Sequence, residues 1–219
     1  MVITNTTADL PSKPVPFVWN RIAECRTVNK RNVHVLPRPA LSHLVIHRTD
    51  LDHLDPVANP NPVPNELLDG PALALRFNNV GLGTGGAIPY HFLLRADPEL
   101  WTLEQLLPLS VRGAHAVGFN WRGIGVAAVG DFRKYTPPAG MYAKLVKLVA
   151  LLIPIQRGLI TAGHTDLAGA SADANKVCPG AFLPVKVLAA SALATLPTDW
   201  NLWPASEVDA RLVAAGITL

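Results

Sequence analysis

The pattern of apolar and polar positions divides the chain into short strands and amphipathic helices. "SHLVIHR" (42–48) is an apolar, β-branched run and reads as a strand. "YHFLLR" (90–95) reads as a second strand, "IGVAAVGDF" (124–132) as a third, and "GLITAGH" (158–164) as a fourth. The third is apolar enough to be buried. "TPPAGMYAKLVKLVALLIP" predicts a helix with Thr136 as N-cap, Pro137 at the first helical position and Pro154 as its stop. "FLPVKVLAASALA" predicts another helix, and "SEVDARLVAAG" (206–216) a last one, capped by Ser206 and ended by Gly216. "ALALRFNN" (72–79) predicts a short helix, whereas the periodicity of "LWTLEQLL" does not decide between helix and strand. Strands and helices in alternation predict an α/β fold, a central mixed β-sheet flanked by helices.

Residues 1–40 are rich in Pro, Asn and Thr, with "WNRIAECR" their one helix-like piece. They are expected to form an N-terminal extension packed on a single domain of residues 41–219, which ends in helices. The Pro/Asn/Asp-rich stretch "TDLDHLDPVANPNPVPNELLDGP" predicts a long loop. Loops of this length in compact domains are usually functional or disordered.

Composition narrows the function classes. Of 219 residues, 49% are apolar and 16% charged, which excludes a disordered chain. The net charge of +3 is spread thinly, in pairs such as Lys30-Arg31 and Arg133-Lys134. No basic tract interleaved with aromatics is present, so nucleic-acid binding is not expected. A mild attraction to an anionic cell wall is compatible with this charge. The most apolar stretch, "YAKLVKLVALLIPI", is short and carries two lysines, so membrane insertion is not expected. The N-terminus has no basic start followed by an apolar run. It does not read as a signal peptide, and synthesis in a cytoplasm is expected.

The chemistry concentrates at strand ends. Cys178, one of two cysteines, lies in "GHTDLAGASADANKVCPG" beside Lys176 and a Pro-Gly turn, shortly after His164. His47 lies in the last turn of the first strand, and His164 ends the fourth. Two imidazoles and a thiolate make three protein ligands, the number that a catalytic zinc site uses while a fourth position stays open. Tyr90 could hold or relay a proton, and the Lys176 ammonium could stabilise a developing oxyanion. Spacing alone leaves open a buried structural cysteine with satisfied histidines, since no CxxC or HExxH is present.

"LVIHRT", "GTGGAIPYHFLL", "GAHAVGFNWRGIGVAAVGDF" and "TAGHTDLAGASADANKVCPG" occur in one order. Together they resemble the zinc-dependent N-acetylmuramoyl-L-alanine amidases of type 2, whose fold is shared by peptidoglycan-recognition proteins and many phage endolysins. The resemblance covers about residues 42 to 183. It implies Zn²⁺ held by His47, His164 and Cys178, with Tyr90 and Lys176 assisting catalysis. It also implies hydrolysis of the amide between N-acetylmuramic acid and L-alanine in peptidoglycan or a soluble muropeptide. A non-catalytic peptidoglycan-binding module is the alternative of a different class. The setting fits a phage-type lytic enzyme released by a holin-type partner, a virion-borne or injected enzyme, or a cytoplasmic muropeptide-recycling amidase. The chain departs from the family pattern at Arg48, where many members have His or Cys, and at "ALALRFNNVGLGTGG", where a Trp-His helix is usual.

Other residues carry weaker signals. His91 alternates with Tyr90 and is expected to be structural. His115 and Asn120 match the family's "HA…N" segment and either line the groove or orient a ligand. His34, His43 and His53 read as solvated or loop residues. Cys25 reads as a partly buried free thiol, and a zinc-bound Cys178 excludes a disulfide between the two. Trp101, Trp121, Trp200 and Trp203 read as packing residues that could also stack on sugars.

Overall fold

The computed structural model describes residues 17–29, 34, 40–49, 70–80, 87–96, 101–167 and 177–219. Its strands are β1 (Trp19–Asn20), β2 (His43–Arg48), β3 (Phe92–Ala96), β4 (Trp101–Gln105), β5 (Gly123–Ala128) and β6 (Ile160–Gly163). Its helices are α1 (Ile22–Val28), α2 (Gly70–Val80), α3 (Ala139–Leu152), α4 (Val185–Thr195) and α5 (Ala205–Ala214). Among the described residues the strands form one sheet in the order β1-β4-β3-β5-β2-β6. Only β3 and β4 pair antiparallel; the other pairs are parallel. This is the expected mixed sheet flanked by helices.

Strand β2 lies between β5 and β6 and is buried on both faces, which explains its unbroken apolar run. Its alternation still sorts the side chains. Leu44 and Ile46 join Phe92, Leu94, Ile124 and Val126 in the main core under α3, α4 and α5. Val45 faces the other way, into a small cluster with Ala116, Phe119 and Leu167. His47, two residues on, shares that second face. Further along the sheet, Cys25 of α1 and Leu73 and Ala74 of α2 pack with Leu93 and Ala127.

Several boundaries differ from the sequence reading. Helix α3 starts at Ala139 with Pro138 at its N-cap and no side-chain cap, so Thr136 does not cap it. The fixed φ of proline sets the entry in place of a hydroxyl. Pro154 sits in a 3₁₀ turn (Ile153–Ile155) just after α3, as its role of helix stop requires. Helix α5 starts at Ala205 with Pro204 at the N-cap, so Ser206 lies inside its first turn. It closes at Gly216, where the N–H of Gly216 donates to Val213 and that of Ile217 to Leu212, a Schellman pattern. "LWTLEQLL" contains strand β4, paired to both β1 and β3. Tyr90 and His91 precede β3, and Asp131 and Phe132 lie beyond the end of β5.

The turn after Cys178 closes against the loop that follows β5. Phe182 N–H donates to the Phe132 carbonyl at 2.9 Å. Gly180 has φ +121, and a Cβ there would lie 2.4 Å from the Phe132 main chain. Gly180→Ala should therefore destabilise the fold by about 1–3 kcal/mol or more, through strain at positive φ and overlap with backbone. In a domain of this size that is a fall of roughly 2–4 °C in thermal midpoint per kcal/mol. A melting curve unchanged by the substitution would contradict this account of the turn.

Candidate metal centre

Register brings the two histidines together. Ile46 pairs with Gly163 across β2 and β6, so His47 and His164 are the next residues on neighbouring parallel strands. Their ring centroids lie 4.8 Å apart. His164 opens a 3₁₀ turn (His164–Asp166), held by the Gly163 N–H donating to Asp166 Oδ2 at 2.9 Å. The site thus sits beyond the C-terminal ends of parallel strands, where open α/β sheets commonly bind ligands.

Cys178 completes the group. Its Sγ lies 3.8 Å from His47 Nδ1, and one ligand atom from each of His47, His164 and Cys178 lies within 4.8 Å of the others. Ligands at 2.0–2.3 Å from a tetrahedral zinc are separated by about 3.5 Å, so this set closes on such an ion with little movement. Two imidazole nitrogens and a thiolate suit a borderline-soft divalent cation.

A chain of hydrogen bonds fixes which His47 nitrogen is offered. The Gly123 carbonyl only accepts, so the 3.1 Å contact with His115 Nε2 puts the proton on that nitrogen. His115 Nδ1 is then an acceptor, and His47 Nε2–H donates to it at 3.1 Å. His47 Nδ1 keeps its lone pair, facing Cys178. His115 can lie there because β5 presents glycine: a Cβ on Gly125 would come within 2.8 Å of the His115 ring. Asn120 holds the loop that carries His115, its Oδ1 accepting the N–H groups of His115 and Ala116 at 2.8 Å each.

Electrostatics keep these rings neutral, the form that binds metal. Burial, followed by repulsion from His115 and His164, holds His47 well below the ordinary histidine value. Burial lowers His164 as well. Burial and then the neighbouring His91 push His115 down to about 3, against the opposing hydrogen bond to Gly123.

Cys178 is carried by no helix or strand, and its neighbours fix it. The Thr165 N–H and Oγ1 both donate to its carbonyl, at 3.1 and 3.0 Å. The Arg48 N–H donates to Sγ at 3.4 Å, and the Arg48 guanidinium donates to the Val177 carbonyl. Each histidine ligand is thus followed by a residue that holds the cysteine. Asp131 faces Arg48 at 3.5 Å and pairs with Arg133 at 2.6 Å. Its carboxyl is pushed down to about 2, foremost by the hydrogen bond from Arg133.

The model of the N-acetylmuramoyl-L-alanine amidase family matches residues 37–181, about two-thirds of the chain. The chain belongs to this amidase family. A short peptidoglycan-recognition protein of Drosophila simulans is 30% identical over 96 residues, which are 44% of this chain and 50% of that protein. The chain thus spans about half the length of the curated relatives it matches. Among solved structures, the LysC amidase of Clostridium intestinale aligns with a TM-score of 0.52 at 20% identity, covering 80% of this chain and 97% of that one. The endolysin of Thermus scotoductus phage Ph2119 gives 0.56 at 20%, covering 80% and 98%. Drosophila PGRP-LB gives 0.57 at 20%, covering 78% and 91%. These three establish the likeness of fold.

In this amidase-family chain, the other residues singled out by sequence fall into three groups. Tyr90 stands beside the candidate centre, its ring 5.1 Å from that of His47. Lys176 and His53 lie outside the described residues. His91 is buried and structural: the Gly125 N–H donates to its Nδ1 at 3.0 Å, and its Nε2–H donates to the Val111 carbonyl at 2.8 Å. His43 packs on Phe119, and His34 on the half-exposed Trp121, which Arg112 also covers. Trp101, Trp200 and Trp203 pack against the main core. Cys25 is a free thiol, fully rather than partly buried, because α1 and α2 close over it. The contacts of Arg48, Asp131 and Thr165 carried no sequence signal, since a charge after an apolar strand ordinarily marks the surface.

His91 and His115 set an acid limit on the metal-free protein. Burial first, against the bond to Val111, lowers His91 to about 4. Both folded values lie below the unfolded one, near 6.5, so the unfolded chain takes up protons first as pH falls. The stability they contribute is complete above about pH 6.5 and drains away towards pH 3–4. Each unit of displacement is worth about 1.4 kcal/mol. Denaturant midpoints in the presence of chelator should fall steadily from pH 7 to pH 4.5. A flat profile over that range would mean that these rings are not buried neutral.

Proposed function

We propose that this chain is a zinc-dependent amidase that cleaves the bond between the lactyl group of N-acetylmuramic acid and L-alanine in peptidoglycan. The observation that carries the reading is the convergence of His47, His164 and Cys178 within 4.8 Å at the open ends of parallel strands. When bound, zinc supplies a Lewis acid that polarises a carbonyl and acidifies water. The chain's own residues do the rest. His115 holds the His47 proton on Nε2, so that Nδ1 is always available. Tyr90, beside His47, donates its phenol proton to the substrate carbonyl oxygen as negative charge grows there. Lys176, separated from Cys178 by Val177 alone, adds an ammonium to the same oxygen. The L-alanine amine leaves with a proton.

The setting we propose is that of a phage-type lytic enzyme, made in a cytoplasm and admitted to the wall by a holin-type partner. Its likeness to the Ph2119 endolysin supports this assignment. Among the described residues no helix is long and apolar enough to cross a membrane, in keeping with a separate release partner. The curated relatives are recognition proteins, which keeps a binding module as the competing outcome. The Cys178 ligand, together with Tyr90 and Lys176, favours the enzyme.

Mass spectrometry of digested peptidoglycan should show free stem peptides beginning at L-alanine, together with intact glycan strands. The purified protein should hold about one zinc per chain and lose activity in chelator, and Cys178→Ser should weaken zinc retention. Tyr90→Phe and Lys176→Ala should keep zinc while losing about 100- to 1000-fold in turnover, mainly in kcat, since both act on transition-state charge. Peptidoglycan that is bound but left uncut by zinc-loaded protein would replace the enzyme with a recognition module. A variant that keeps both zinc and the parental rate would remove that residue from the mechanism.

A further inference from the structure

We infer that Arg48 is a positioning residue for the metal centre, holding the Cys178 segment in place from the strand that carries His47. The inference rests on the metal-centre reading above and adds a residue to it.

Three observations support it. First, one residue reaches the cysteine segment twice. The Arg48 main-chain N–H donates to Cys178 Sγ at 3.4 Å, and its guanidinium donates to the carbonyl of Val177, the residue before the ligand. Second, the side chain is almost wholly buried, 2% exposed, and faces an equally buried Asp131 carboxylate at 3.5 Å. A buried pair of this kind seldom adds stability over an apolar replacement, so packing alone gives little reason for an arginine here. Its planar fork, however, can serve a carbonyl and a carboxylate at once, which a lysine ammonium does poorly. Third, Asp131 is itself held. Arg133 donates to both its oxygens at 2.6 Å, and the Asp131 N–H donates to the Tyr135 hydroxyl at 2.9 Å. The carboxylate therefore presents a fixed oxygen to Arg48, and Arg48 in turn holds Val177.

The consequence concerns assembly of the site. His47 and His164 take their positions from β2 and β6, whereas Cys178 belongs to no helix or strand. Removing the guanidinium leaves the Val177 carbonyl without that donor and frees the segment to move relative to His47. Loss of outer partners of this kind typically weakens metal binding by about 10- to 100-fold.

The test uses the full chain as wild type, Arg48→Met, Arg48→Lys and Asp131→Asn. Zinc affinity is measured by competition with a chromogenic chelator, and cobalt is titrated in parallel to read the thiolate-to-metal absorption band. Arg48→Met should bind zinc about 10- to 100-fold more weakly, with an altered cobalt spectrum. Arg48→Lys should recover part of the loss, and Asp131→Asn should weaken binding in the same direction. A folded Arg48→Met with wild-type affinity and spectrum overturns the inference, even if its metal-free unfolding midpoint is lower, because Arg48 would then serve the fold alone. Should Arg48→Met fail to fold, wild-type affinity in both Arg48→Lys and Asp131→Asn overturns it equally. A wild-type protein that binds neither metal overturns the metal centre itself and this inference with it.

Discussion

Strand β2 is locked in register between β5 and β6, and the candidate centre depends on that lock. His47 pairs with Ala127 on one side, and Ile46 with Gly163 on the other. A slip of one residue would turn His47 into the core beneath α3 and expose Ile46 on the opposite face. The alternation of Leu44 and Ile46 against Val45 and His47 makes that slip costly, because it would exchange apolar side chains for an imidazole in the main core. The packing that stabilises the sheet is therefore the same packing that aims His47. His164 follows from one further constraint, the turn that Asp166 closes immediately after β6.

An imidazole forced into a buried position must find partners there, and the main chain supplies them. Val111 and Gly123 offer carbonyls, and Gly125 offers an N–H. These groups cannot change their donor or acceptor character. They set the proton on His91 and His115, and His115 then sets the proton on His47. A polar network anchored on backbone is directional in a way that one made of side chains alone is not. The glycine-rich start of β5 has a clear physical use: without side chains on that face, rings can lie against the strand.

The legibility of the sequence follows the range of each interaction. Strand β2 and helix α3 were readable because local apolar pattern and proline punctuation decide them. The histidine and cysteine ligands were recognisable as a family pattern, and register then explains their meeting. Helix caps were not readable at Thr136 and Ser206, because proline at the N-cap sets the entry of α3 and α5 in place of a side-chain hydrogen bond. Strand β4 was ambiguous since its pairing with β1 and β3 comes from distant segments. The contacts of Arg48 with Val177, 129 residues away, lie beyond any local pattern.

The donor set also bears on what kind of metal site this is. A structural zinc site closes itself with four protein ligands, whereas a catalytic one leaves a position free. Among the described residues three donors converge, and the polar side chains nearest them are committed elsewhere. His115 spends one nitrogen on His47 and the other on Gly123. Asp166 accepts from Gly163, and Asp131 is bound to arginine. For any of these to become a fourth ligand, a bond that shapes the site would have to break: the His47 tautomer, the turn after β6, or the hold on Arg48. The fourth position is thus kept open by the same contacts that position the first three, which favours a centre built to receive a substrate over one built to staple the fold.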